Sequence, residues 1–223
     1  MDMIKMNREP IVLTWELLDR AHEKFLQLEP RDLMYKVSTR LIEDYWGNDE
    51  EVSDGIGVLL LTWNSGFYRF GKLNLDSVQD TLSKNKNTLI RFRPRNITTY
   101  HKEEKYEIGN LYGQFLDSLG RTGKLGSKNE GKEPRSPVSV AKALHLLCPK
   151  FFPLWDNKIA DAYGCKWSSS EKSFDYYWEF LIITSEQVRK LESDRKSAFQ
   201  YPNLSTLKLI DEYNYVHFTL QRI

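Results

Sequence analysis

A chain of 223 residues and 26.3 kDa, 40% hydrophobic and 13% aromatic, has ample apolar mass for a packed core, which excludes a disordered polymer. Two cysteines, Cys148 and Cys165, exclude a disulfide scaffold, and their apolar neighbours mark both as reduced core residues. The net charge of +1 excludes a global field toward nucleic acid, yet residues 1–54 carry 13 acidic and 7 basic side chains while residues 84–135 carry 12 basic and 6 acidic, which suggests one positive face.

The four histidines, His22, His101, His145 and His217, are scattered, and no spacing sets two ligands on one helix face, so neither metal nor cofactor is expected. The opening MDMIKMNREP lacks a signal-peptide run, and the longest apolar run, Val58 to Leu61, is far too short to span a bilayer. The expected location is the cytoplasm.

Helical periodicity dominates the chain. Thr14 is a good N-cap, and Leu18, Ala21, Phe25 and Leu28 recur at helical spacing up to Pro30. Pro30 suits the first turn of a second helix, whose expected buried stripe is Leu33, Val37, Leu41 and Tyr45. From Val52 to Phe70 the residues are apolar nearly all round, which predicts a central third helix whose glycines (Gly55, Gly57, Gly66) admit close neighbours. Asn74 caps a short helix carrying Leu75, Val78 and Leu82. The segment TLIRFRPRNITT, 88–99, alternates apolar and basic residues around Pro94 and reads as extended or loop. A helix resumes from Glu103 to Leu119, and further helices are expected at 137–148, 157–164, 171–192 and 205–221. Between them, RTGKLGSKNEGKEP (121–134) is glycine- and lysine-rich and reads as a flexible basic loop. The expected architecture is a mainly α, multi-helix globular fold. It is either one domain over 1–223 or two helical lobes, 1–120 and 136–223, joined by the loop at 121–135.

The most distinctive stretch is SPVSVAKALHLLCPKFFPLWDNKIADAYG, residues 136–164. It predicts a helix, then a rigid apolar crossing (Pro149, Phe151, Phe152, Pro153, Trp155), then a second helix headed by Asp156. Lys142 and His145, three residues apart, share one face of the first helix.

This stretch resembles the helix-hairpin-helix DNA glycosylases, the 8-oxoguanine glycosylase-like fold, and more closely a group of uncharacterised helical proteins similar to it. Leu209-Ile210-Asp211-Glu212-Tyr213 lends looser support. The resemblance implies a lysine nucleophile, here Lys142, and an aspartate heading the next helix, here Asp156, acting on a base flipped from DNA. The chain departs from the family in two respects. The glycine hairpin that lets amides approach a phosphate is replaced by Arg135-Ser136-Pro137-Val138-Ser139, in which Pro137 has no N–H to offer. The 14 residues from Lys142 to Asp156 are also fewer than the family's interval.

Each candidate carries a plainer alternative. Lys142 is either a nucleophile with a depressed pKa or a lysine whose stem packs while its ammonium stays wet. Asp156 caps its helix, alone or in service of a site. His145 is a proton shuttle or a satisfied structural histidine, and Trp155 lines a pocket beside it or fills the core. Arg91, Arg93 and Arg95, with the loop residues Lys124, Lys128, Lys132 and Arg135, suit phosphate contacts or form a solvated basic edge. Three functions follow: a DNA-binding glycosylase-like enzyme, a non-catalytic helical module binding nucleic acid or a protein partner, and an enzyme of another class built around Trp155, Asp156 and His145.

Overall fold

The computed structural model describes residues 11–29, 31–123, 133–194, 201 and 204–221. Among them are eleven α-helices and a single two-stranded ribbon. Among the described residues no helix is long and apolar enough to cross a membrane.

Helix α1 (Trp15–Leu28) starts where Thr14 accepts the Leu17 amide and buries Leu18, Ala21, His22 and Phe25. Helix α2 (Leu33–Asp44) opens at Leu33, after Asp32 in a left-handed conformation, rather than at Pro30, which lies outside the described residues. Its buried face is Tyr35, Ser38 and Ile42, not the expected stripe: Leu33 and Tyr45 are 50% and 47% exposed. The helix is rotated because α3 (Asp49–Trp63) offers a groove at Gly55, where an added Cβ would lie 2.9 Å from Ile42 Cγ1 and 3.3 Å from the Ser38 carbonyl. A small residue there sets the phase that the hydrophobic pattern of α2 left ambiguous.

Helix α3, capped by Asn48, is central as expected and packs on α2, α5 and α8. It stops at Trp63 instead of running to Phe70; α4 (Ser65–Tyr68) follows a break at Asn64. The Asn64 amide donates to the hydroxyls of Ser136 and Ser139 at 3.0 and 2.7 Å. The Phe67 amide bonds Asn64 O, so the Trp63 carbonyl is released from the helical ladder.

After α5 (Leu75–Lys84), capped by Asn74, the first part of the segment expected to be extended or loop, 88–92, lies in α6 (Lys86–Phe92), and 93–96 is irregular. The pair that decides this is Leu89 and Phe92, both buried and three apart; the apparent alternation came from arginines on the other faces. Two 3-10 turns lead into α7 (Lys105–Ser118). An antiparallel ribbon missed in the sequence pairs β1 (Gly71–Leu73) with β2 (Arg121–Gly123). Gly71 is required in it, since a Cβ would sit 2.3 Å from the Thr122 carbonyl oxygen.

The distinctive stretch folds as α8 (Pro137–Leu147), an apolar crossing and α9 (Asn157–Ala162), followed by α10 (Ser173–Ser193) and α11 (Thr206–Asn214), which ends in a wide turn over Tyr215–Thr219. Every residue of α8 is buried, and the helix packs on α2, α3 and α7. Cys148 and Cys165 are buried free thiols.

His145 is enclosed in this core. Because the Phe152 carbonyl can only accept, Nδ1 carries the proton and donates at 2.8 Å, and Nε2 accepts from the Tyr35 hydroxyl at 2.9 Å. Burial pushes its pKa down to about 4. The folded value lies below the ordinary 6.5, so the histidine's contribution is complete above pH 6.5 and lost as pH falls toward 4. His145→Leu leaves two buried partners unpaired and should cost about 2–4 kcal/mol in urea unfolding at pH 7. A loss below 1 kcal/mol would show that neither bond matters.

Candidate active site

Residues from six helices and the segments beside them converge on a cleft of about 720 Å³. Phe25 and Glu29 come from the end of α1, Asp32 to Met34 from the start of α2, and Thr62 to Asn64 from the break after α3. Val138 and Lys142 come from α8, residues 154–159 from the crossing and α9, and Asp211 with Tyr215 and Thr219 from the C-terminal elements. Lys142 and Asp156, on successive helices, therefore open into one concavity.

Ser136 caps α8 and Pro137 begins it, which fixes the phase that turns Lys142 toward α3. Its Nζ donates to the freed Trp63 carbonyl at 2.9 Å and lies 5.7 Å from the centre of the Trp63 ring. Burial lowers its pKa to about 8, against the charges of Asp211 and, more weakly, Asp156. A substantial neutral fraction near pH 8 is what amine chemistry needs.

Asp156 is the N-cap of α9: one carboxylate oxygen accepts the Lys158 and Ile159 amides, both at 2.8 Å. The other accepts the Thr219 hydroxyl at 2.8 Å, and Lys158 Nζ donates to the Thr219 carbonyl at 2.7 Å. Asp156 is thus a cap that also faces the cleft and ties α9 to the C-terminal turn.

Asp211 is the carboxyl the sequence reading left without a role. Burial raises its pKa to about 6, with Glu212, Asp32 and Asp156 adding to the rise and Lys208 opposing it. Behind it, Lys208 is fully buried, 3.2 Å from Asp32, 3.4 Å from Glu212 and 3.6 Å from Asp211, and it faces the rings of Phe25, Tyr35 and Trp63 at 4.5, 4.8 and 5.4 Å. Burial works against its charge, but the three carboxylates together outweigh burial and hold its pKa above the ordinary value. His22 closes the far side, with Nδ1 2.5 Å from Glu212. The available signal was the i, i+3, i+4 spacing of Lys208, Asp211 and Glu212, which sets one cation between two acids on a helix face.

The remaining candidates lie elsewhere or are engaged. His145 does not reach the cleft. Trp155, 1% exposed, forms part of its floor; the indole donates to the Pro137 carbonyl at 3.4 Å and the ring packs on Trp167, Tyr177 and Phe180. Arg93 donates to Leu147 O at 2.7 Å, at the far end of α8 from the cleft, and stacks on Trp46 at 3.9 Å. Arg95 pairs with Glu104 at 2.5 Å and packs on Phe92 and Phe151. Arg91, exposed, pairs with Glu107, and Arg135 pairs with Asp117 at 2.8 Å. Lys124, Lys128 and Lys132 lie outside the described residues. Among the charged groups lining the cleft, Glu29, Asp32, Asp156 and Asp211 outnumber Lys142 and Lys158, so the basic arginines and the cleft do not coincide. Among the described residues no group of histidine, cysteine or carboxylate side chains could hold a metal ion. No family model, curated protein or solved structure matches this chain.

Proposed function

We propose that the cleft is the active site of a cytoplasmic, DNA-binding enzyme of the glycosylase kind, on a helix-hairpin-helix-like scaffold, in which Lys142 is the amine nucleophile acting at the sugar of an extruded nucleotide. The observation that carries this is that Lys142, with a pKa lowered to about 8, opens with Asp156 into one cleft of about 720 Å³. The aromatic walls of Phe25, Trp63 and Tyr215 suit a flat ring, and the volume is that of an ordinary small-ligand site. Carboxylates at the cleft repel phosphates, so only base and sugar enter while the strand stays outside.

Borohydride trapping on abasic and damaged duplexes tests this. Wild type should form a covalent adduct mapped to Lys142 by peptide mass, and Lys142→Ala should lose it by roughly a hundredfold or more, the scale of a positioned catalytic group. Equal adducts in both proteins, or none on any lesion, would refute the chemistry.

A second function, ligand or nucleic-acid binding without catalysis, is favoured by one observation: both oxygens of Asp156 are already occupied by the protein. DNA binding without adducts, weakening steeply with salt, would identify it.

A further inference from the structure

The cleft contains a second carboxyl better suited than Asp156 to exchange a proton. Asp156 accepts three hydrogen bonds from its own helix and from Thr219, and these commit both of its oxygens to the cap. Asp211 lines the same cleft from α11, and its side chain is 12% exposed, which leaves a path for a proton. Of the two carboxylates acting on Lys142, Asp211 acts more strongly. From these contacts we infer that Asp211 is the proton-transfer residue of the cleft. This rests on Lys142 acting as an amine.

The groups facing Asp211 are Lys208 and Glu212 on its own helix, Asp32 and Tyr35 at α2, Lys142 on α8 and Asp156 at the head of α9. Lys208 is shared among Asp32, Glu212 and Asp211, and Asp211 is the most distant of the three. The cation therefore orients this carboxyl without monopolising it, while the surrounding acids favour its protonated form. Its pKa near 6 and that of Lys142 near 8 frame a neutral pH range in which a proton can pass either way.

In base excision the Lys142 lone pair forms a nitrogen–carbon bond at the sugar as the glycosidic carbon–nitrogen bond breaks. The Asp211 proton goes to the departing base nitrogen. The resulting carboxylate then takes a proton from the alkylated ammonium and is restored. With a simple aldehyde the amine first adds to the carbonyl to give a carbinolamine. The nitrogen lone pair then expels the hydroxyl, which leaves as water with the Asp211 proton, giving an iminium ion and a carboxylate.

The aldehyde step supplies the test. The full chain is incubated with glyceraldehyde and cyanoborohydride from pH 5 to 9, and the rate of labelling at Lys142 is read by peptide mass, with surface lysines as the internal control. Wild type should give a bell-shaped profile. Asp211→Asn should be slower by about tenfold or more at pH 6–7 and lose the fall at high pH, keeping the rise that comes from Lys142 losing its proton, while Asp211→Glu restores the bell. A merely electrostatic role predicts the reverse sign: removing a negative charge lowers the Lys142 pKa and makes labelling at pH 7 faster. Faster or unchanged labelling in Asp211→Asn, or no labelling of Lys142 in wild type, would overturn the assignment. Aldehyde labelling that depends on Asp211, with no adduct on any duplex, would remove base excision and leave the assignment standing. Duplex adducts equally fast in wild type and Asp211→Asn would do the opposite.

Discussion

Lys208→Met should destabilise the protein by about 3–5 kcal/mol at pH 7, because removing one member of a buried ionic cluster strands the others. Three carboxylates within 3.6 Å of one buried ammonium would be left facing each other and three aromatic rings. Methionine matches the stem, so the loss is electrostatic rather than a cavity. Lys208 opposes the rise that burial imposes on the Asp211 carboxyl, so without it that pKa must rise further in the folded state. A raised carboxyl pKa favours the folded form at low pH and penalises it as pH rises through the folded value, so the deficit should shrink toward pH 5 and be largest above neutrality. Urea midpoints for both proteins across pH 5–8 measure it. A deficit under 1 kcal/mol, or one flat with pH, would show that the cluster does not contribute as charge.

Asp211→Asn should gain stability relative to wild type as pH rises. With a folded pKa of about 6 against the ordinary 3.8, wild-type Asp211 is neutral in both states below pH 3.8 and ionised in both well above 6. Keeping it ionised in the fold is a cost that enters between those values. The difference between Asp211→Asn and wild type should therefore shift in the variant's favour by about 2 kcal/mol between pH 4 and 7, at roughly 1.4 kcal/mol per pKa unit, and then level off. The variant also gives up one partner of Lys208, which sets the baseline but not the slope. A difference that stays constant with pH would mean the carboxyl is not held in its acid form. Together with slower aldehyde labelling, such a gain would mark Asp211 as a residue retained for chemistry at the expense of stability.

Much of the helical order was legible because caps and breakers are local. Thr14, Asn74 and Ser136 each receive an amide where a helix begins, and the crossing from Phe151 to Trp155 is as apolar as its residues suggest. What was not legible depended on partners remote in sequence. The phase of α2 is set by the absence of a side chain at Gly55, and the ribbon by strands 50 residues apart that meet at Gly71 and Gly123. The helix at Lys86–Phe92 was hidden because Arg91, with Arg93 and Arg95 just beyond the helix, mimics alternation while Leu89 and Phe92 face the core. At the site, Lys142 and Asp156 were singled out by the resemblance to the glycosylases, and both line the cleft. Asp211 escaped notice because its setting comes from Lys208, Asp32 and burial together, and only the first is near it in the chain. Arg93 and Arg95 close a helix end and an acidic turn, uses to which charge counting is blind.

The interruption at Asn64 has a stereochemical consequence for Lys142. A main-chain oxygen accepts an N–H from the side chain whether that group is ammonium or free amine, so the contact at Trp63 survives loss of the proton. An amine tethered through one hydrogen has its non-bonding orbital directed away from the tether. Severing the helix one residue beyond Trp63 thus supplies a fixed anchor that keeps the Lys142 lone pair off the main chain.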